Sequence, residues 1–100
     1  MNTRSYEAAL KSIERIAKPS AQIMEAKQKI LFQLGTQSFA NANFEQALQY
    51  LNQSITIGQY NRQTKADAYY WCGESYYRLN RMMEAARDFN ACLLYTSPSP

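Results

Sequence analysis

The chain has no histidine, only three glycines, three prolines and two cysteines, and no long apolar run. Without imidazole there is no Ser-His or Cys-His pair, no imidazole general base and no histidine metal site. Gly35, Gly58 and Gly73 stand too far apart to form a glycine-rich phosphate cradle. Cys72 and Cys92 give neither a disulfide framework nor metal-ligand spacing. Nothing approaches the roughly 20 apolar residues that cross a bilayer, and Met1 to Tyr6 lacks the apolar centre of a signal peptide. No acid-base pair or activated nucleophile can be placed. The chain therefore reads as non-catalytic, with no cofactor or metal.

What is present is an ordinary globular balance: 100 residues, 46% hydrophobic, 19% charged and 13% aromatic, with eight tyrosines. The net charge of +3 comes from 11 basic and 8 acidic residues scattered along the chain. Glu25, Asp67, Glu74 and Glu84 dilute every basic stretch, so no nucleic-acid partner is expected. The last nine residues, Cys92 to Pro100, differ in character and resemble the translation of a transposase mosaic-end sequencing adapter. They are expected to be artefactual, with the natural chain continuing past Ala91; a genuine Ser/Pro linker is the alternative. Residues 95–100 are expected to be a disordered tail.

Self-comparison reveals a repeat. An offset of 38 residues superposes Ala9, Ala47 and Ala85, then Tyr6, Phe44 and Met82, then Ile13, Leu51 and Phe89. The same offset places Leu31 on Tyr69, Gly35 on Gly73 and Phe39 on Tyr77. Each unit reads as two helices. Ile23, Ile30, Leu31, Leu34 and Phe39 recur at helical steps over 21–40. After Asn41-Ala42-Asn43, a second helix over 44–57 carries Phe44, Ala47, Leu48, Leu51 and Ile55 on one face. Asn43 is expected to cap it with Gln46 completing a capping box, and Gly58 to end it as a C-terminal glycine. Residues 58–63 form a loop, Thr64 caps the next helix to about Leu79, and the last helix runs from Met82 to about Leu94. Ser5 to Ala17 matches only the second helix of a unit, ended by Lys18-Pro19-Ser20.

The expected fold is all-α: five helices in antiparallel pairs, stacked as an α-solenoid. Its units are 5–19 (half a repeat), 20–58 and 64–94. Gly35 and Gly73 fall mid-helix, where glycine costs roughly 0.5–1 kcal/mol relative to alanine. That cost is explained if a second helix must come close. Ala9, Ala47 and Ala85 would serve the crossing from the opposite side.

These residues resemble the tetratricopeptide repeat (TPR) family. Leu31, Leu34-Gly35, Phe44, Ala47, Leu51 and Ser54 fit one copy of its pattern, and Tyr69, Cys72-Gly73, Tyr76, Met82, Ala85, Phe89 and Cys92 the next. The departures are Ser38, where the family has an aromatic, the lack of a closing proline, and a spacing above the family's ~34 residues. The run Ala68 to Tyr77 is similar to repeats of bacterial cell-envelope proteins, including Tol-Pal coordinators, which would imply that setting; the residues themselves assign no compartment.

The resemblance implies that first helices line a concave groove that takes a peptide or protein segment. On helical geometry the face opposite the core carries Lys29, Gln33, Thr36 and Ala40 in one unit, and Asp67, Trp71, Glu74 and Arg78 in the other. Tyr70 lies on the flank with Phe32, Phe39 and Tyr77. Trp71 has two readings: a hot spot for a partner, or a contact with the first helix of a further unit. Thr36 and Glu74 occupy the places of the asparagines with which some family members clamp a terminal carboxylate, which speaks against that ligand. Cys72 reads as a small buried hydrophobe. Three functional classes follow: an interaction scaffold, a spacer within a longer array, and an accessory or nucleic-acid-binding helical protein. Two and a half units fall short of the roughly three needed for stability, so marginal stability or self-association through open ends is expected.

Overall fold

Pro19 and Ser20 separate a first helix from a longer second one, and the pattern of helix and tight turn then repeats. The computed structural model describes residues 3–96. It contains α1 (Thr3–Glu14), α2 (Ala21–Ala40), α3 (Phe44–Thr56), a 3₁₀ turn (Gly58–Tyr60), α4 (Arg62–Arg78) and α5 (Met82–Thr96). No strand occurs among the described residues. α2 folds back on α3 and α4 on α5, while α3 packs on α4, α1 on α2, and α2 reaches α4. The radius of gyration, 13.6 Å, is close to the ~13 Å of a compact chain of this length. The helices form one packed body.

The two hairpins share their construction in detail. At the end of α2, Ala42 N–H donates to Phe39 O at 2.9 Å and Asn43 N–H to Ser38 O at 2.8 Å, with Ala42 left-handed at φ 62°. At the end of α4, Asn80 N–H donates to Tyr77 O at 3.0 Å and Arg81 N–H to Tyr76 O at 2.8 Å, with Asn80 also at φ 62°. Both are Schellman turns, which satisfy the last helical carbonyls. They lie 38 residues apart, the offset of the sequence repeat.

The mid-helix glycines sit where the helices cross. A Cβ on Gly35 would stand 2.6 Å from Leu51 Cγ and 3.4 Å from Ala47 O. A Cβ on Gly73 would stand 2.7 Å from Phe89 Cδ1 and Cε1. Ala47 and Leu51 are fully buried and Ala85 is 3% exposed. Ala9, the third alanine of the series, is only half-buried: α1 packs on α2, and none of its residues is buried.

Several local expectations are corrected. Asn43 occupies the N-cap of α3, but its side chain makes no capping bond, and Gln46 accepts from Ser38 Oγ at 3.4 Å, so no capping box forms. Gly58 is not left-handed. It opens the 3₁₀ turn and is buried. The cap of α4 is Asn61, whose Oδ1 accepts from Thr64 N–H at 2.9 Å, so α4 begins two residues before Thr64, and Thr64 is buried. α1 ends at Glu14 rather than Ala17, its chain leaving through Arg15 N–H to Ser12 O and Ile16 N–H to Ile13 O. Tyr95 and Thr96, expected in a disordered tail, complete the last turn of α5. Tyr95 lies flat on Tyr69, with ring centroids 5.6 Å apart, and Thr96 Oγ1 donates to Cys92 O at 2.9 Å. The rest of that tail, residues 97–100, lies outside the described residues.

Candidate functional site

The outward stripes of α2 and α4 keep most of their polar bonds within their own helices. Lys29 is exposed and pairs with Glu25 at 3.6 Å. Gln33 is exposed, and the half-buried Thr36 donates from Oγ1 to Gln33 O at 3.0 Å. Asp67 is half-buried and accepts from Gln63 Nε2 at 2.9 Å. Glu74 is half-buried and Arg78 exposed. The stripes thus mix two cations with two carboxylates around an aromatic centre, a surface of no single sign.

That centre is where the two helices meet. Trp71 does not project away from the core: it is half-buried, packed against the Ala47–Leu48–Leu51–Ala68–Cys72 cluster, and edge-on to Phe39 of α2 at 5.0 Å. α4 is packed on three sides, by α2, α3 and α5, so its buried arc is wider than a one-sided helical projection allows. The rings continue outward, Phe39 to Phe44 at 5.2 Å, Trp71 to Tyr70 at 5.3 Å, and Tyr70 to Phe89 at 5.8 Å. Arg78 lies 5.6 Å from the Phe39 ring centroid, a cation–π distance. The structure therefore brings Trp71 and Arg78 together around Phe39, with Tyr70 against the Trp71 ring.

A buried polar joint beneath the 3₁₀ turn escaped the sequence reading. Gln28 has no exposed surface. Its Nε2 donates to Asn61 O at 2.8 Å and lies 3.5 Å from Gly58 O, while its backbone carbonyl accepts from Ser54 Oγ at 2.8 Å. Asn61 Nδ2 donates to Glu25 Oε2 at 2.7 Å. That bond, with Lys29 second, holds the Glu25 carboxyl below its ordinary range. Gln28 lies one turn before Leu31 on the stripe continuing through Gly35 and Ser38, and its helical register was the available signal.

Chemistry at the cysteine is suppressed. Burial, with the Asp88 carboxylate second, pushes the Cys72 thiol up to about 12. A thiol in that state stays protonated near neutral pH and is a poor nucleophile. No group of three or more His, Cys, Asp or Glu is placed to hold a metal ion among the described residues. None of the described helices is long and apolar enough to cross a membrane. Hollows lie off the outward stripes, one of about 510 Å³ between Ala42–Gln46 and Leu79 and one of about 210 Å³ beside Lys27, Leu31 and Gln53. Comparison with protein-family models, curated proteins and solved structures finds no match to the chain.

Proposed function

We propose that the chain is a non-catalytic interaction scaffold of TPR-like solenoid type, holding a peptide or protein segment along the outward faces of α2 and α4. The observation that carries the repeat reading is the pairing of Gly35 on Leu51 with Gly73 on Phe89, each closed by a Schellman turn at the same register. The contact of α2 with α4 supports first helices lying side by side. The surface they offer is mixed in charge and centred on rings, which suits an uncharged or aromatic segment better than a strongly acidic or basic one.

A spacer role is the second reading, favoured by one fact: Trp71 is already engaged by Phe39. Trp71→Ala is therefore a packing probe, expected to cost about 2–3 kcal/mol by loss of a half-buried ring. Binding is tested elsewhere, at Gln33 and Glu74. A displayed peptide library is selected on the full chain, and the enriched peptides are titrated while backbone amide shifts are followed. The scaffold reading expects shifts at Gln33, Thr36 and Glu74, and weaker binding in Gln33→Ala and Glu74→Lys. A library that yields no ligand moving those amides leaves the spacer.

A further inference from the structure

A carboxylate that folding draws partly out of water normally keeps a partner. Glu25 pairs with Asn61 and Lys29, Asp67 with Gln63, Glu84 with Arg81 and Asp88 with Arg87. Glu7, Glu14 and Glu45 are exposed and need none. Glu74 is the exception: it is half-buried and makes no ion pair or hydrogen bond among the described residues. Its own helix offers a partner and does not use it. Arg78 lies four residues on, the order in which helical ion pairs are most favourable, and Glu25 and Lys29 of α2 pair across that same spacing at 3.6 Å. Arg78 instead lies on the Phe39 ring of α2, 5.6 Å from its centroid. Lys29, the other cation of the outward stripes, is held by Glu25. Thr36, 38 positions before Glu74 on α2, spends its hydroxyl on Gln33 O. The cations of the groove are thus engaged elsewhere, and the Glu74 carboxylate is left open.

We infer that Glu74 receives one arginine side chain of the bound segment. Trp71 and Tyr70 stand one turn before Glu74, at i−3 and i−4 on the same side of α4. A guanidinium is flat: it can fork a carboxylate with two parallel N–H bonds while its face lies on an aromatic ring, as Arg78 already lies on Phe39. Lysine is a point charge and gains less from such a setting. A metal ion would need more than one carboxylate, and no group of three or more ligating side chains is gathered among the described residues. A single arginine within an otherwise uncharged segment agrees with a surface of no single sign. The inference rests on the groove reading and names the anchor of its ligand.

The test uses pools of short random peptides, acetylated and amidated, whose central position is fixed as arginine, citrulline, lysine or glutamate. Each pool is titrated into the isotope-labelled full chain while the amides of Gln33, Thr36 and Glu74 and the Trp71 indole N–H are followed. The arginine pool should bind roughly three-fold or more tightly than the citrulline pool, which keeps the shape and loses the charge. That preference should vanish in Glu74→Gln and turn toward the glutamate pool in Glu74→Lys. It should persist in Glu45→Gln, which removes an exposed carboxylate at the start of α3. Thermal melts of the variants check that the fold is kept. Equal binding of the arginine and citrulline pools, a lysine pool that binds as tightly as arginine, or a preference that survives Glu74→Gln overturns the inference. If the pools still move Gln33 and Thr36, the groove reading stands without it. Pools that leave all of these signals in place overturn both.

Discussion

Gly35→Ala sets two effects of known size against each other. Replacing a mid-helix glycine by alanine stabilises a helix by about 1 kcal/mol through propensity and lost unfolded-state freedom. The added Cβ would stand 2.6 and 2.7 Å from Leu51 Cγ and Cδ2, too close for either atom to stay in place. Leu51 is fully buried, and the same Cβ would stand 3.4 Å from Ala47 O, so the leucine can give way only by repacking within the core. Overpacking of that kind costs about 1–3 kcal/mol. The clash should win by up to about 2 kcal/mol, at about 4–8 °C of Tm per kcal/mol for a domain of this size. At Gly73 the obstructing atoms belong to Phe89, which is half-buried and can swing outward, so Gly73→Ala should be milder. Urea titration of Gly35→Ala, Leu51→Ala and the double variant supplies the control. The new methyl fills part of the space left by Leu51, so the double variant should be more stable than the sum of the singles by more than about 0.5 kcal/mol, the limit of simple additivity. A Gly35→Ala chain that melts higher than the parent, or an additive cycle, would refute the close approach as the reason for the glycine.

Ala42→Gly should stabilise by about 0.5–1 kcal/mol, because alanine at φ 62° carries a left-handed penalty that glycine escapes; a raised urea midpoint at unchanged slope checks it, and Asn80→Gly should gain less. Gln28→Ala should cost about 2–3 kcal/mol by orphaning Asn61 O and opening a cavity, and Gln28→Met should cost less because it fills the space and removes the unpartnered Oε1. For Cys72 the folded thiol is raised to about 12, so its protonated form is favoured in the native state. The associated stability is present below the ordinary thiol pKa of ~8.5 and is lost as pH rises from there toward the folded value. Thiol labelling at pH 8 should therefore modify Cys92 well before Cys72; equal rates would contradict the burial.

The span of α2, about 21–40, was legible in apolar steps of three and four; its cap, Ser20 Oγ accepting from Ile23 N–H, is a detail the structure adds, since Ser20 reads in sequence as part of the break after α1. The helix crossings were legible for a different reason: Gly35 and Gly73 are costly in a helix, and each lies opposite an alanine-bearing helix at one register. Trp71 was misplaced because α4 is packed on three sides, and a projection built on one buried face sends the fourth quarter to solvent. Thr64 and Asn61 are both capping residues within one turn, and local propensity does not choose between them; the Asn61 bonds to Glu25 and Gln28 do. Gln28 was invisible because a pattern of apolar residues reads an amide as surface. How the polar residues of the two stripes bond within their own helices, Lys29 to Glu25, Thr36 to Gln33 and Gln63 to Asp67, is detail that spacing does not carry.

The joint between the two hairpins has a mechanical consequence. Gln28, Ser54 and Asn61 are neutral at every physiological pH, and the bonds they make at the 3₁₀ turn are amide and hydroxyl bonds with fixed directions. Neither moderate salt nor alkali can loosen such a fastening as it would an ion pair; only strong acid acts on it, through Glu25. The tilt of one hairpin against the other is therefore set like a welded bracket, and a segment held in the proposed groove would have to adapt its own shape to that angle.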